Sequence, residues 1–526
     1  MVQDRPAMTI HMSATLGGIS HIGWVLEIGK VLTYRGHNVS FITTDTNLPH
    51  VKKYPEINPI NIGPEISSIK FRDLFDIENP FSVSVRQAYI KLIRDTMARD
   101  YEAYKGHFLS SKPSLVFCDH MALACMDAAH MLNIPIVVTM TMSISEASLC
   151  SDTRAPFIRP FFSVDGATTL NKSLWDRFFE RYFTLPRFIL RHQPVLRALN
   201  KKRQELGIEP WEPLGRHAGT VKFINSFWGL DSPRPVGPFV EYVGPIISGR
   251  YDALTTDLAS FLNTHKAIAY VAFGQMYAPN PRELVTLLTG LLEAYESHYL
   301  DGFVWSLSGK TVTDIPPTIK TSRTRYNTTS LLMGYQRDIR FESWTPQFAI
   351  LNHTSCRLFV SHGGASSIHE SLYNGVPLLL HPFTSDQPIN ANQMAKAGVG
   401  LVIDRRNISP QEIAQKIRTI VLDEGGTYAD NIKAMQAVAE IYSRRLYYAA
   451  DVVEEILYSR HGNESMWHRK EDTRHMSWWK ATNWDVDALA LTLLIGGSVA
   501  VYRSLLGMQV YVSKKLLVRK MKQKIA

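Results

Sequence analysis

Cysteine is scarce in this chain, with only Cys118, Cys125, Cys150 and Cys356 among 526 residues. So few and so scattered a set argues against a disulfide framework or a zinc site. Cys118 and Cys356 lie in or beside apolar strands, so mostly buried free thiols are expected. A secretory leader is also missing, because an apolar strand begins at Thr9 with no basic start, apolar run and cleavage site before it. On that ground the chain is cytosolic or its beginning is absent. Low-complexity sequence is lacking too: 45% hydrophobic and 20% charged residues are ordinary for a globular protein, and the length suits two or three domains. The net charge of +9 is spread out except at Lys514, Lys515, Arg519, Lys520, Lys522 and Lys524, a cluster that points to a membrane surface and not to nucleic acid. Finally, the βαβ start has no G-x-G-x-x-G. Strand Thr9 to Ser13 leads to Gly17-Gly18 and then, after four intervening residues, Gly23, a spacing that argues against a nicotinamide or flavin enzyme. After the turn, Ile22, Val25, Leu26, Ile28 and Leu32 lie on one face of a helix ending at Gly36, and residues 39–43 form the second strand.

What is present is concentrated in residues 341–392. Cys356 to Ser361 is a short apolar run ending in His362-Gly363-Gly364, followed by a helix over residues 365–374 that Gly375 stops. Unpaired amides and the positive end of the helix dipole make such a terminus a natural phosphate site, and glycine permits close backbone approach. Residues 377–381 read as the next buried strand, with Asp386 and Gln387 at the start of another helix. Two strand ends thus point polar groups at one crevice, where open α/β sheets bind ligands.

Taken in order, Trp344, Gln347, His362, Gly364, Ser366, Glu370, Asp386 and Gln387 resemble the donor-binding signature of the UDP-glycosyltransferases, enzymes with two facing Rossmann-like domains (the GT-B fold). The resemblance implies that Trp344 stacks on uracil, Gln347 lies beside the nucleoside and Glu370 takes the ribose hydroxyls. His362, with Gly364 and Ser366, would hold the diphosphate, and Asp386 with Gln387 the sugar hydroxyls. It further implies that His21, after the first strand, is the catalytic base. Asp119, delivered by the apolar strand at residues 114–118 ahead of a helix at about 122–132 and a strand at 134–139, would orient it, since a buried Asp–His pair raises imidazole basicity and fixes its tautomer. Asp119 is also a candidate helix N-cap. In the family a small hydroxyl residue usually follows the glycine after the second domain's first strand (residues 267–273). Here that residue is Gln275, so this contact is not carried over.

The implied organisation is an acceptor-binding domain over residues 1–235, a proline-rich linker over 236–250, and a UDP-sugar-binding domain over 251–460 whose last helices cross back. A juxtamembrane segment follows over 461–487, then a transmembrane helix over 488–512 and a basic tail over 513–526. Residues 171–206 interleave Trp175, Phe178, Phe179, Tyr182, Phe183, Phe188 and Ile189 with Arg177, Arg181, Arg187 and Arg191. Ordinary helical packing is the expectation there, against an acceptor cover or a membrane contact. Residues 311–338 read as a long mobile loop. Residues 488–512 exceed the roughly 20 apolar residues that span a bilayer, with Trp478, Trp479 and Trp484 before them and Arg503 off centre. Charge bias places the tail in the cytosol, whereas the missing leader argues the opposite. The expected activity is inverting transfer of a hexosyl group from a UDP-sugar, UDP-glucose before UDP-glucuronic acid, to a hydroxyl of a small lipophilic acceptor at the endoplasmic reticulum membrane. The UDP-sugar serves as co-substrate, no metal is expected, and self-association is left open. The alternatives are a non-catalytic UDP-sugar or lipid-binding module and a UDP-sugar epimerase.

Overall fold

The computed structural model describes residues 5–65, 83–141, 173–210, 219–231, 236–274, 279–307, 315–383, 386–459, 466–470, 476–481 and 483–525. Cys150, Pro233, Pro235 and Gln275 lie outside them, as do the side chains of Arg181, Phe188, Ile189, Trp478, Lys522 and Lys524.

Short, fully buried runs of β-branched and aromatic residues become parallel strands, because only a sheet covered on both faces can bury both sides of a strand. The strands of the first sheet are β1 (Thr9–Ser13), β2 (Asn38–Thr43), β3 (Asn58–Asn61), β4 (Leu115–Asp119), β5 (Ile136–Met140), β6 (Val221–Ile224) and β7 (Val240–Tyr242), in the order β3-β2-β1-β4-β5-β6-β7, with the polar edge strand β3 mostly exposed. Helix α1 (Ile19–Tyr34) follows β1, α2 (Val83–Ser111) precedes β4, and α3 (Leu123–Met131) joins β4 to β5. Ile93, Met97, Tyr101, Tyr104 and Phe108 on α2 recur every three or four residues, one helical stripe, and all are buried.

The second sheet has the order β12-β9-β8-β13-β14-β15, built from β8 (Ile268–Ala272), β9 (Gly302–Ser306), β12 (Ile339–Glu342), β13 (Cys356–Ser361), β14 (Leu378–Leu380) and β15 (Gly400–Val402). Every pairing within these two sheets is parallel. This is the two-Rossmann α/β architecture expected from the sequence. Helices α4 (Leu174–Phe179) and α5 (Leu185–Glu205) belong with the first sheet. With the second come α6 (Pro281–Glu296), α7 (Thr328–Leu332), α8 (Gln347–Leu351), α9 (Ala365–Tyr373), α10 (Gln387–Lys396), α11 (Pro410–Leu422) and α12 (Thr427–Ser443). The last of the series, α13 (Arg445–Tyr458), packs Ala449, Val452, Val453 and Ile456 into the first sheet's core beside α1, where Arg35 pairs with Asp451 and Glu454.

Three expectations are corrected. The expected loop over 311–338 is, in its described residues 315–338, not one loop: an antiparallel pair, β10 (Thr318–Lys320) and β11 (Arg325–Asn327), and then α7 fold there, with Ile319, Tyr326 and Leu331 reaching the core. Their short apolar spacing is too brief to show as a periodic pattern. Cys118 and Cys125 are not free thiols but a disulfide, because the turn from β4 into α3 brings their Cα atoms to 5.8 Å; Cys356 is free and buried. Nor do the aromatics of α4 and the following π-turn (Glu180–Thr184) pack into the core. Trp175, Phe178, Phe179, Tyr182 and Phe183 are each more than 40% exposed and contact one another.

The C-terminal residues form a unit of their own, in which Trp478–Ala481 precedes a single helix α14 (Trp484–Ile525). Among the described residues this helix alone is long and apolar enough to cross a membrane, by length and composition. The basic tail continues it.

Candidate active site

In each sheet the strand order reverses once, between β1 and β4 and between β8 and β13. A crevice opens outside the strand ends at such a point. Both groups of site residues lie there.

At the first reversal, Gly17 and Gly18 turn the chain from β1 into α1 with positive φ, and His21 sits in the helix's first turn. A side chain at Gly17 is excluded twice over, because its Cβ would lie 2.0 Å from the His21 ring. Asp119, the last residue of β4, is fully buried, and its Oδ2 lies 2.8 Å from His21 Nδ1. The other oxygen, Oδ1, accepts from the Met121 amide, so Asp119 caps the turn rather than the helix; the N-cap of α3 is Ala122. A residue that the sequence reading passed over joins them. His120 Nδ1 lies 3.6 Å from Asp119 Oδ1, and its ring stacks on His21 with centroids 5.5 Å apart. Burial by itself would raise the Asp119 carboxyl, but the two imidazoles overcome it and hold the group well below the usual carboxylate range. Against the desolvation of its own ring, Asp119 raises His120 above the ordinary histidine value, and Asp386 of the second sheet's side adds to the rise.

At the second reversal, His362 leaves β13 and lies between two glycines. A Cβ at Gly274 would come 2.9 Å from His362 Nε2, and one at Gly364 2.4 Å. Burial pushes the His362 imidazole down to about 4, so it is neutral at pH 7. Gly364 is the N-cap of α9, and Ser366 lies in the first turn. One helical turn further, Glu370 accepts from Gln347 Nε2 at 2.9 Å and from Tyr251 hydroxyl at 3.2 Å. Desolvation pushes its carboxyl up to about 7 despite those two donors. Tyr251, unforeseen from sequence, stacks flat on Phe348 at 4.1 Å. Trp344 stands 63% exposed just before α8, which Gln347 begins.

Asp386 is the N-cap residue of α10, and its Oδ2 accepts from Asn390 Nδ2, which also donates to Gly363 O. Gln387 is buried, with Oε1 accepting from the Phe383 amide. Behind this turn Arg405 donates to Phe383 O and pairs with Glu283 of α6, whose side chain also closes a capping box with Asn280. His381 Nε2 lies 3.6 Å from Glu283. Burial would raise Glu283, yet His381 and Arg405 prevail and hold it at about 2. The structure therefore gathers the expected residues into a His21–Asp119 dyad, a Gln347–Glu370 pair, the His362 turn and the Asp386–Gln387 turn. Trp344 stands beside them, exposed.

Two parallel sheets with polar groups at both reversals define an α/β protein of the two-Rossmann type. Residues 205–522 match the family described as UDP-glucoronosyl and UDP-glucosyl transferase. The chain is 32% identical over 414 residues to UDP-glycosyltransferase 1 of Phaeomoniella chlamydospora, covering 75% of this chain and 81% of that one. It is 28% identical over 515 residues to a UDP-glycosyltransferase of Talaromyces amestolkiae, covering 93% and 96%. Its fold is similar to that of UDP-glucose: anthocyanidin 3-O-glucosyltransferase in complex with UDP, with TM-score 0.57 and 18% identity over 85% of this chain and 99% of that one. This chain belongs to the UDP-glycosyltransferase family, and it is a UDP-sugar glycosyltransferase.

Proposed function

We propose that the protein transfers a hexosyl group, from UDP-glucose in preference to UDP-glucuronic acid, to a hydroxyl of a small lipophilic acceptor with inversion at the anomeric carbon. The observation that carries this reading is the 2.8 Å contact of His21 Nδ1 with a buried, ionised Asp119 at the strand-order reversal. A module that only binds needs no base, whereas here Asp119 holds the Nδ1 proton and leaves Nε2 to accept one. In the reaction Nε2 takes the acceptor's hydroxyl proton, the oxygen bonds to C1, and the C1–O bond to UDP breaks with its electron pair leaving on the diphosphate.

The diphosphate charge is met by the amides at the start of α9 and by His362. Because that imidazole is neutral, it donates a hydrogen bond rather than a full charge. Glu370 takes the ribose hydroxyls, with Gln347 fixing its orientation, Trp344 stacks on uracil, and Asp386 and Gln387 face the sugar. A protein of similar fold was solved in complex with UDP, which supports a nucleotide as ligand. Helix α14 serves as a single membrane anchor at the endoplasmic reticulum, keeping the enzyme where lipophilic acceptors partition.

The test is transfer of labelled sugar from several UDP-sugars to a panel of hydroxylated lipophilic acceptors, using membranes that carry the full chain. A labelled glycoside of inverted configuration is expected. Change of sugar configuration without transfer would establish an epimerase instead, and UDP-sugar binding with neither would establish a binding module.

A further inference from the structure

We infer that His21, Asp119 and His120 form a zinc-type metal site whose occupation switches the enzyme off by capturing the catalytic base. The inference rests on the reading of His21 as that base. Sequence spacing shows no such site, since His21 is remote in the chain from the other two. The fold brings one ligand atom from each residue to within 4.8 Å of the others.

The chemistry and the distances agree. Two imidazoles and a carboxylate are the donor set of open zinc sites, in which three protein ligands leave a fourth position for water or substrate. Tetrahedral bonds of roughly 2.0–2.2 Å set ligand atoms about 3.3 Å apart. His21 Nδ1 stands 2.8 Å from Asp119 Oδ2 and His120 Nδ1 3.6 Å from Asp119 Oδ1, so each imidazole already lies near the required separation from one oxygen of the shared carboxylate. His120 Nδ1 is buried, has no partner within hydrogen-bond distance and faces the Asp119 carboxylate. The side chains of His21 and His120 are 12% and 32% exposed, so an ion can reach them from the crevice. Asp119 and its neighbours are held by the sheet, with the His120 amide bonded to Thr139 O on β5. Few side-chain rotations therefore separate the free arrangement from the metal-bound one.

A divalent ion on His21 Nδ1 displaces the proton facing Asp119 to Nε2, so the neutral imidazole carries its N–H on the nitrogen that would otherwise accept the acceptor's proton. The imidazole loses both its orienting partner and its freedom to take the acceptor's proton, while the UDP-binding residues at the other reversal are untouched. Zinc is thus expected to lower turnover without weakening UDP.

The full-length protein in detergent is titrated with zinc, with transfer and UDP binding followed in parallel, and separately with cobalt(II), whose visible absorption reports tetrahedral coordination with or without activity. Expected are inhibition of transfer, unchanged UDP affinity and one equivalent of tetrahedral cobalt. In His120→Ala the zinc concentration for half inhibition rises about tenfold or more, as expected when even outer-shell partners are worth 10–100-fold in affinity. His369→Ala, a buried histidine elsewhere, leaves it unchanged. Equal inhibition of wild type and His120→Ala, or a cobalt band that survives in both His120→Ala and His21→Ala, overturns the proposal. Tetrahedral cobalt at these residues in a protein that transfers no sugar under any condition leaves the site standing and rejects the assigned activity.

Discussion

Replacing Glu370 by glutamine is expected to weaken UDP and at the same time stabilise the ligand-free protein. The carboxyl's ordinary value is 4.5, and burial raises it to about 7 in the folded chain. A group raised in this way gives no penalty below pH 4.5, where folded and unfolded chains both hold the proton. Its penalty grows as pH climbs from 4.5 to 7 and is complete above 7, where the folded chain must bury the charge. At about 1.4 kcal/mol per pH unit, the gap amounts to about 3 kcal/mol of destabilisation at pH 8. The amide of the Glu370→Gln variant avoids it while keeping hydrogen-bonding capacity toward Gln347 and Tyr251. Ribose hydroxyls, however, donate best to the ionised form. UDP affinity of the wild type should therefore fall about tenfold per pH unit below 7, reaching about a hundredfold loss by pH 5. Calorimetry across pH with uridine beside UDP separates this from titration of the diphosphate, and thermal melts at pH 8 report the stability. Uridine affinity that is flat from pH 8 to 5, together with a Glu370→Gln variant no more stable than wild type at pH 8, would refute the reasoning.

Three further outcomes are expected. His21→Ala should reduce turnover by about a hundredfold or more, the scale of a lost general base, with UDP affinity intact, and Asp119→Asn should lower turnover by a smaller factor; unchanged turnover in a folded His21 variant rejects the assignment. Gly364→Ala places a Cβ 2.4 Å from His362 Nε2, so the ring must shift. The expected result is overpacking of about 1–3 kcal/mol and weaker UDP binding, read by melting and calorimetry, and a variant that matches wild type in both measurements sinks the idea that His362 is wedged in place. Deleting residues 477–526 should release an active protein from membranes, and a truncated chain that resists alkaline carbonate extraction would show that α14 is not the sole anchor.

Much of the second site was legible along the chain because its parts are local. A strand end, a glycine turn and a helix start follow one another directly in the chain there, and Trp344 through Gln387 stand in order within one stretch that resembles the family's signature. The central strands β1, β2, β4, β5, β8, β13 and β14 were visible as apolar runs, because a strand covered on both faces has nothing to alternate with. By contrast, no local rule joins His21 to Asp119 or makes His120 their neighbour. That depends on β1 pairing with β4, a choice of strand order made by tertiary packing. The Cys118–Cys125 bridge likewise depends on how tightly β4 turns into α3. Spacing could not say that Tyr251 would reach Glu370, nor that the aromatics from Trp175 to Phe183 would stay in the open, because a helical stripe reads alike whether protein, lipid or water covers it. Residue order alone was enough for the kind of fold and for the strand, glycine turn and helix start around His362. That His120 joins His21 on the Asp119 carboxylate was left to the packing of the sheet, since proximity across it follows from strand order and not from distance along the chain.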